Sequence, residues 1–402
     1  MNDFLTPGRL LDFDRWGDDR FRRHLSLKAL TPLRPTSQSL PQGWDVLCDD
    51  EAARFDRGLW RVEEENAFLL GDSWRYPSKT DYHLYPLKAD GDVLFPDRQW
   101  APLLAGKSFI KSVDMESGSC LLDSKGYPPL AHFDEPVVFI GGSPNWGHWM
   151  ADFLPRLLTL GFFDGLSGYK LAFNSLSPVQ AECLDSMGIS KDKRLSLDLR
   201  GQDRGMYSFA RLAVVSPPPL ALAFPWLHEK VAIAQLEEGA GPGSERVYLS
   251  RRGDYPLHRL ANQDEVEDHL AGSGFDILHP EGMPLAELVR KMARARIVLS
   301  PIGAGLGNFL LAPQDAVLIH LLPTFLKDNF ETKELFVNWM RYYYPLRDRL
   351  IFVFGSFHDL KQKRFAEELG LSGIDVPANY ALRDIDMAIM AAEKQAVMKG
   401  RG

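Results

Sequence analysis

The sequence predicts an α/β protein of two Rossmann-like lobes facing a cleft, with a β/loop-rich N-terminal extension. Three observations carry that expectation. The chain has 402 residues, more than one hydrophobic core usually holds, so two domains are the natural division. Strand-like and helix-like runs alternate twice, over residues 136–216 and again over 246–322. Such alternation implies parallel strands joined by right-handed crossovers. Between the two blocks lie Ser216 to Pro219 and Glu238 to Ser244, proline and glycine clusters of the kind that link domains.

Taken in order, residues 1–130 are rich in Pro, Trp, Asp and Arg, with short apolar runs and no sustained helical period. Hairpins and loops belonging to the first lobe are expected there. Residues 131–220 form the body of that lobe: strand 136–141, a helix from Asn145 to Leu160, strand 169–173, a helix from Pro178 to Met187, and strand 211–215. One helix, about 225–237, stands beside the linker. Residues 240–355 form the second lobe. Strand 246–250 leads to Asn262, an N-cap with Glu265 three residues on, and to a helix from Val266 to Ala271 stopped by Gly272 and Gly274. Strand 275–278, helix 284–295, strand 296–300, a short helix after Gly305 and strand 316–322 follow. Residues 356–402 hold helices at about 359–369 and 379–398, placed to cross back and brace the first lobe.

Composition narrows the partners. A net charge of −8 argues against nucleic acid, whose phosphates need a basic stripe, although a small anion needs only two or three arginines. No window offers the roughly 18 uninterrupted apolar residues of a membrane span. The best, Phe209 to Leu227, is broken by Pro217, Pro218, Pro219 and Pro225. The first residues lack a basic start followed by an apolar run, so no secretory signal is visible. Cys48, Cys120 and Cys183 are isolated and odd in number, which suits a reducing compartment. A cytoplasmic protein is expected.

Two turns carry the chemistry. Ligands of parallel sheets bind at the carboxyl ends of strands, beside helix N-termini. In the first turn, after strand 136–141, His148 and Asp152 stand four apart, which on an α-helix places both on one face. A carboxylate on one imidazole nitrogen fixes the tautomer and raises the basicity of the other, making a general base. Asn145 is the N-cap candidate, and its helix dipole favours a neutral His148. A pair that merely ties the helix to a neighbour is the bland alternative. In the second turn, Gly303, Gly305 and Gly307 follow strand 296–300, and glycines there let backbone amides approach an anion, pyrophosphate above all. A tight βα turn is the competing reading. A dinucleotide fingerprint fits worse, because the acidic residue it needs about 20 positions on is replaced by Pro323. Arg251, Arg252 and Arg259, just past strand 246–250, are placed to clamp phosphate oxygens or simply to be solvated. If the turns face each other, one takes a proton from one substrate while the other holds the phosphates of a second. That is the layout of a group-transfer enzyme.

Metal is not indicated. Asp12 with Asp14 and Asp384 with Asp386 spell D-x-D, yet neither pair follows a buried strand, and no Cys/His cluster exists. The aromatic run Trp339 to Tyr344 reads first as packing, and only second as a surface for stacking a sugar or base.

The ordered series Asn145 to Leu157, Val247 to Arg252, Arg259 to Asn262, Gly274 to Glu281 and Gly303 to Leu306 resembles glycosyltransferase family 61. Its members include plant xylan xylosyl- and arabinosyltransferases, animal O-GlcNAc transferases of the secretory pathway, and bacterial proteins linked to capsular polysaccharide. The resemblance covers roughly residues 136–325. It implies a GT-B-like fold, an inverting mechanism, a nucleotide-sugar donor in the C-terminal lobe, a UDP-sugar first, and no obligatory metal. Its H-x-x-x-D element falls on His148 and Asp152, its S-R-R element on Ser250, Arg251 and Arg252, and its G-A-G-L loop on Gly303, Ala304, Gly305 and Leu306. On this reading Arg259, Glu281 and Asn308 complete the donor side, Glu281 at the ribose or base. Asn145, Trp146, Trp149 and Arg156 lie on the acceptor side. A glycan acceptor is implied, with peripheral contact to the inner membrane or to polysaccharide-assembly proteins. The sequence departs from the family at Ile302, where the loop usually has His. That departure favours a second class, a non-catalytic nucleotide-sugar or glycan binder; a sugar-nucleotide epimerase of similar architecture is a third.

Overall fold

The computed structural model describes residues 7–11, 61–75, 80–87, 93–94, 110–114, 119–122, 127–218, 220–232, 244–251, 260–323, 346, 349–356 and 378–399. The fold is α/β, with two sheets rich in parallel strands, as two Rossmann-like lobes require. The chain divides into two compact units. Unit 1 takes most of the chain up to Pro218, and unit 2 takes Pro219 onward together with the short insert Asn145–Ala151.

The sheet of unit 1 contains β1 (Pro7–Leu11), β2 (Arg61–Arg75), β3 (Thr80–Leu87), β4 (Val93–Leu94), β5 (Ile110–Asp114), β6 (Ser119–Leu122), β7 (Pro129–Phe133), β8 (Val137–Phe139), β9 (Lys170–Asn174), β10 (Arg194–Leu197) and β11 (Arg204–Val215). Their order is β10-β9-β8-β11-β2-β3-β4-β1-β6-β5, with β7 also on β11. Strands β8 to β11 are parallel, while β2 with β3 and β5 with β6 are antiparallel, the hairpin texture expected of the N-terminal residues. Both textures meet in β11. Gly205, Tyr207 and Phe209 are buried at alternate positions, the pattern of a strand covered on one face. Leu212 to Val215 are then buried without a break, as in a strand covered on both. The core gathers Val62, Leu69, Phe139, Ala172, Tyr207, Phe209 and Val214.

Helix α1 (Trp146–His148) runs into a π-helical segment, Trp149–Phe153, and then α2 (Arg156–Leu160), where one continuous helix is expected from the sequence. Pro155, which has no N–H to continue the ladder, sits at the break. Helix α3 (Pro178–Ser186) forms as expected: Ser177 and Gln180 make a reciprocal capping box, and Pro178 occupies the first turn, where its missing N–H costs nothing.

Unit 2 opens with α4 (Leu220–Leu227), which continues as a π segment to Ala232. Then come β12 (Arg246–Leu249), α5 (Gln263–Gly272), β13 (Asp276–Leu278), α6 (Leu285–Met292), β14 (Ile297–Pro301), a 3₁₀ helix (Ala304–Leu311), β15 (Val317–Pro323), β16 (Leu350–Gly355) and α7 (Leu382–Lys399). The five strands are all parallel, in the order β13-β12-β14-β15-β16. Ile297 to Pro301 are buried throughout, the signature of a strand with both faces covered.

Two expectations change here. Asn262 is the N-cap residue of α5, its backbone carbonyl accepting from Val266 N at 3.1 Å, but its side chain makes no capping hydrogen bond. The side-chain amide donates to Tyr380 O at 2.9 Å and the side-chain carbonyl accepts from Tyr380 N at 3.0 Å, fastening α5 to the tail segment. The tail helix α7, expected to brace the first lobe, packs on the second sheet. Ile385, Ala388, Ile389 and Ala392 join Ile319, Leu321 and Val353 in one core. The other expected tail helix, at 359–369, lies outside the described residues.

Candidate active site

The strand order of unit 2 reverses once. From β12 the chain passes to β13 on one side, and β14 then pairs on the other, so the order reverses between β12 and β14. At such a switch point the strand ends diverge and leave a crevice at their carboxyl edge. Arg251 leaves β12 there, and Ile302 and Gly303 leave β14.

These residues touch. Arg251 is only 4% exposed and donates from Nη1 to the Ile302 carbonyl at 2.7 Å. Gly303 has φ +141°, a region L side chains avoid, and a Cβ there would lie 1.7 Å from Arg251 Nη1. A guanidinium therefore lies over a bare backbone at the switch point. Gly305 faces open space, with nothing within 4 Å of a Cβ built on it. Ile302 is built into the interior: its side chain is buried and its N–H donates to Leu321 O at 3.1 Å.

The glycine turn opens a 3₁₀ helix in place of an ordinary α-helix. The far end is held firmly. His228 donates from Nδ1 to Leu311 O at 3.0 Å. Arg349 stands 5.5 Å from the Phe224 ring and 5.4 Å from that of Phe309, and donates to the carbonyls of Pro313 and Gln314. Burial pushes the Arg349 guanidinium down to about 10, against the pull of Asp315, so it stays charged at neutral pH.

Ser250, expected on the donor side, is held by its neighbours in α5. It is buried, donates its hydroxyl to Glu267 Oε1 at 2.6 Å and accepts from Gln263 Nε2 at 3.1 Å. Its hydrogen bonding ties β12 to α5. Glu281 is exposed in the turn after β13, the edge strand, one strand farther from the switch point than Arg251. Arg252, Arg259 and the Leu306 side chain lie outside the described residues, as do Asp12, Asp14 and the run Trp339 to Tyr344.

In the first turn Asn145 does cap its helix, its Oδ1 accepting from His148 N at 3.3 Å. His148 is exposed and Asp152 half-buried. The stretch Trp149–Phe153 is π-helical, with hydrogen bonds that close over five residues. Such bulges are common at functional sites. Trp149 and Arg156, expected on the acceptor side, lie in the interior. Trp149 is fully buried. Arg156 is 5% exposed, bonds the carbonyls of Asp152 and Ile140 at 3.0 and 3.1 Å, and lies 5.0 Å from the Phe153 ring.

The two turns meet within unit 2. Trp146 donates its indole N–H to Asn308, which is buried. A Cβ on Gly307 would lie 3.0 Å from Gly147 Cα, and one on Gly147 would lie 3.2 Å from both Cα and O of Ala304. Gly307 thus allows the two turns to pack closely.

Gln263, Glu267, His228, His320 and Arg349 lie outside the candidate site motifs that the sequence singles out. Only His320 left a signal, a lone imidazole inside the apolar run Val317 to Leu322. Among the described residues no three His, Cys, Asp or Glu gather as metal ligands, and no helix is long and apolar enough to cross a membrane. Asp384 is exposed, and Asp386 pairs with His269 at 2.7 Å.

Residues 146–319 match the family model Glycosyltransferase 61. That span opens at Trp146 and takes in the docked turn, Arg251 and the glycine loop. Among curated proteins nothing matches the chain.

Proposed function

We propose, from the match of residues 146–319 to a glycosyltransferase domain, that the protein is an inverting glycosyltransferase. It moves a sugar from a nucleotide-sugar donor, a UDP-sugar first among candidates, to a glycan hydroxyl, with no obligatory metal. The observation that carries the donor side is the buried Arg251 lying on Gly303 at the switch point of a parallel sheet.

His148 accepts the proton of the acceptor hydroxyl. The oxygen then forms a bond to the anomeric carbon as the bond to the diphosphate breaks on the opposite face, the electron pair leaving with the diphosphate. Asp152 is the partner we assign to the imidazolium. Arg251, with Arg252 and Arg259 on the same chain segment and the amides around Gly303 to Gly305, stabilises the charge growing on the leaving group. Glu281 is assigned to the ribose or base. The setting we propose is capsule or other surface polysaccharide assembly, at the cytoplasmic side of the inner membrane, in peripheral contact with it or with assembly proteins.

Ile302 favours a second reading, a non-catalytic binder, because an apolar buried side chain stands where the family loop has His. Thermal-shift screening of nucleotide sugars, followed by assay of nucleoside diphosphate release with and without glycan acceptor, separates the two. Binding without release supports the binder, and consumption of donor with no acceptor an epimerase. For the transferase, His148→Ala lowers turnover on the order of 10²–10⁴-fold. Unchanged turnover in a folded variant removes His148 from that role.

A further inference from the structure

The turn bearing His148 is built onto the glycine loop. Strand β8 before it and helix α2 after it belong to unit 1, yet Asn145–Ala151 clusters with unit 2. Two independent contacts hold it there. Trp146 spends its one polar hydrogen on Asn308, in the middle of the 3₁₀ helix that starts at the loop. Gly147 and Gly307 pack closely: a Cβ on Gly307 would lie 3.0 Å from Gly147 Cα, and one on Gly147 3.2 Å from Ala304 Cα and O, so either would force the facing backbone to shift by a few tenths of an ångström. The sequence reading placed Trp146 on the acceptor side, but its indole N–H is already engaged inside the protein.

We propose that Trp146 is a positioning residue, acting through Asn308 to lock the turn that carries His148 onto the Gly303–Gly305 loop. This inference rests on the glycosyl-transfer reading above. Proton removal from the acceptor and departure of the diphosphate occur at the two ends of one displacement, so the groups serving them must keep a fixed separation. A misplacement of about 1 Å reduces such a reaction on the order of 10²-fold. A hydrogen bond between the two elements, next to a tight backbone contact, supplies that rigidity.

The test is a double-mutant cycle in the full chain. Trp146→Phe keeps an aromatic ring and removes the N–H, and Asn308→Ala removes the acceptor. Each is expected to lower kcat about tenfold to a hundredfold while the donor KM stays within about threefold. The double variant is expected to be no slower than the slower single, because both remove one interaction. Additive losses, an unchanged kcat, or a rise in donor KM alone would each overturn the proposal. Hydrogen exchange of the ligand-free protein is the second measurement. Amides of 145–151 are expected to exchange faster in both variants while those of β12 do not change, and equal exchange at 145–151 also overturns it. A wild type that releases nucleoside diphosphate from no donor overturns the glycosyl-transfer reading. That failure is distinct from failure of the lock, which the exchange measurement reports without substrate.

Discussion

Gly303 is the position where an added methyl group does most harm. Its positive φ disfavours any L side chain, and the methyl would collide with the Arg251 guanidinium. Gly303→Ala is expected to cost about 1–3 kcal/mol in backbone strain alone and to abolish nucleotide affinity by displacing Arg251. Gly305→Ala, with open space at its Cβ, is expected to keep both stability and affinity. Thermal unfolding and calorimetric titration with UDP check the pair. Spacing in the sequence marks three glycines in one turn but does not divide their tasks among φ, open space and close packing. The same limit explains Trp149 and Arg156. Both flank the motif in sequence, but only the packing around them buries one and turns the other's donors to backbone carbonyls.

Elements were legible wherever period and caps agreed. The apolar positions of α7, Ile385, Ala388, Ile389, Ala392 and Ala396, follow helical spacing, and all are buried. The sheet they cover was not legible, because periodicity gives a face and not its partner. Arg246 with Glu393 at 2.6 Å and His269 with Asp386 at 2.7 Å flank that interface. Ile385→Ala is expected to destabilise unit 2 by about 2–4 kcal/mol, the usual cost of emptying a core site. Met390→Ala, 54% exposed in the native protein, is expected to change stability by less than about 0.5 kcal/mol. Urea denaturation distinguishes them. Strand β16, a run of apolar residues from Leu350 to Phe354, carried a sequence signal that the reading of the second lobe did not use. The π segment carried none: Pro155 announces an interruption, but the wider turn before it arises from the packing of Trp149 to Ala151.

The response of the molecule to acid is set in part by His320, fully buried on β15, its Nδ1 donating to Ser300 O at 2.9 Å. Burial pushes the imidazole down to about 4, with the hydrogen bond opposing. Because the folded value lies below the ordinary 6.5, the unfolded chain takes the proton first. The stability due to neutral burial is therefore complete above about pH 6.5 and is lost progressively as pH falls toward about 4, on the order of 3 kcal/mol in all. Denaturation of wild type and His320→Phe at about pH 7.5 and about pH 5 checks this. The variant is expected to lose less stability on acidification, and parallel losses would reject it. The same window spans the isoelectric point near 5.7, where solubility is lowest, so acid removes charge and stability together. Gly147 and Gly307 have a consequence on this scale as well. Neither residue has an atom left to give up, so enlarging one cannot be relieved by trimming the other. In a randomised library selected for a working protein, both positions are expected to be enriched in glycine, although they lie in distant stretches of the chain.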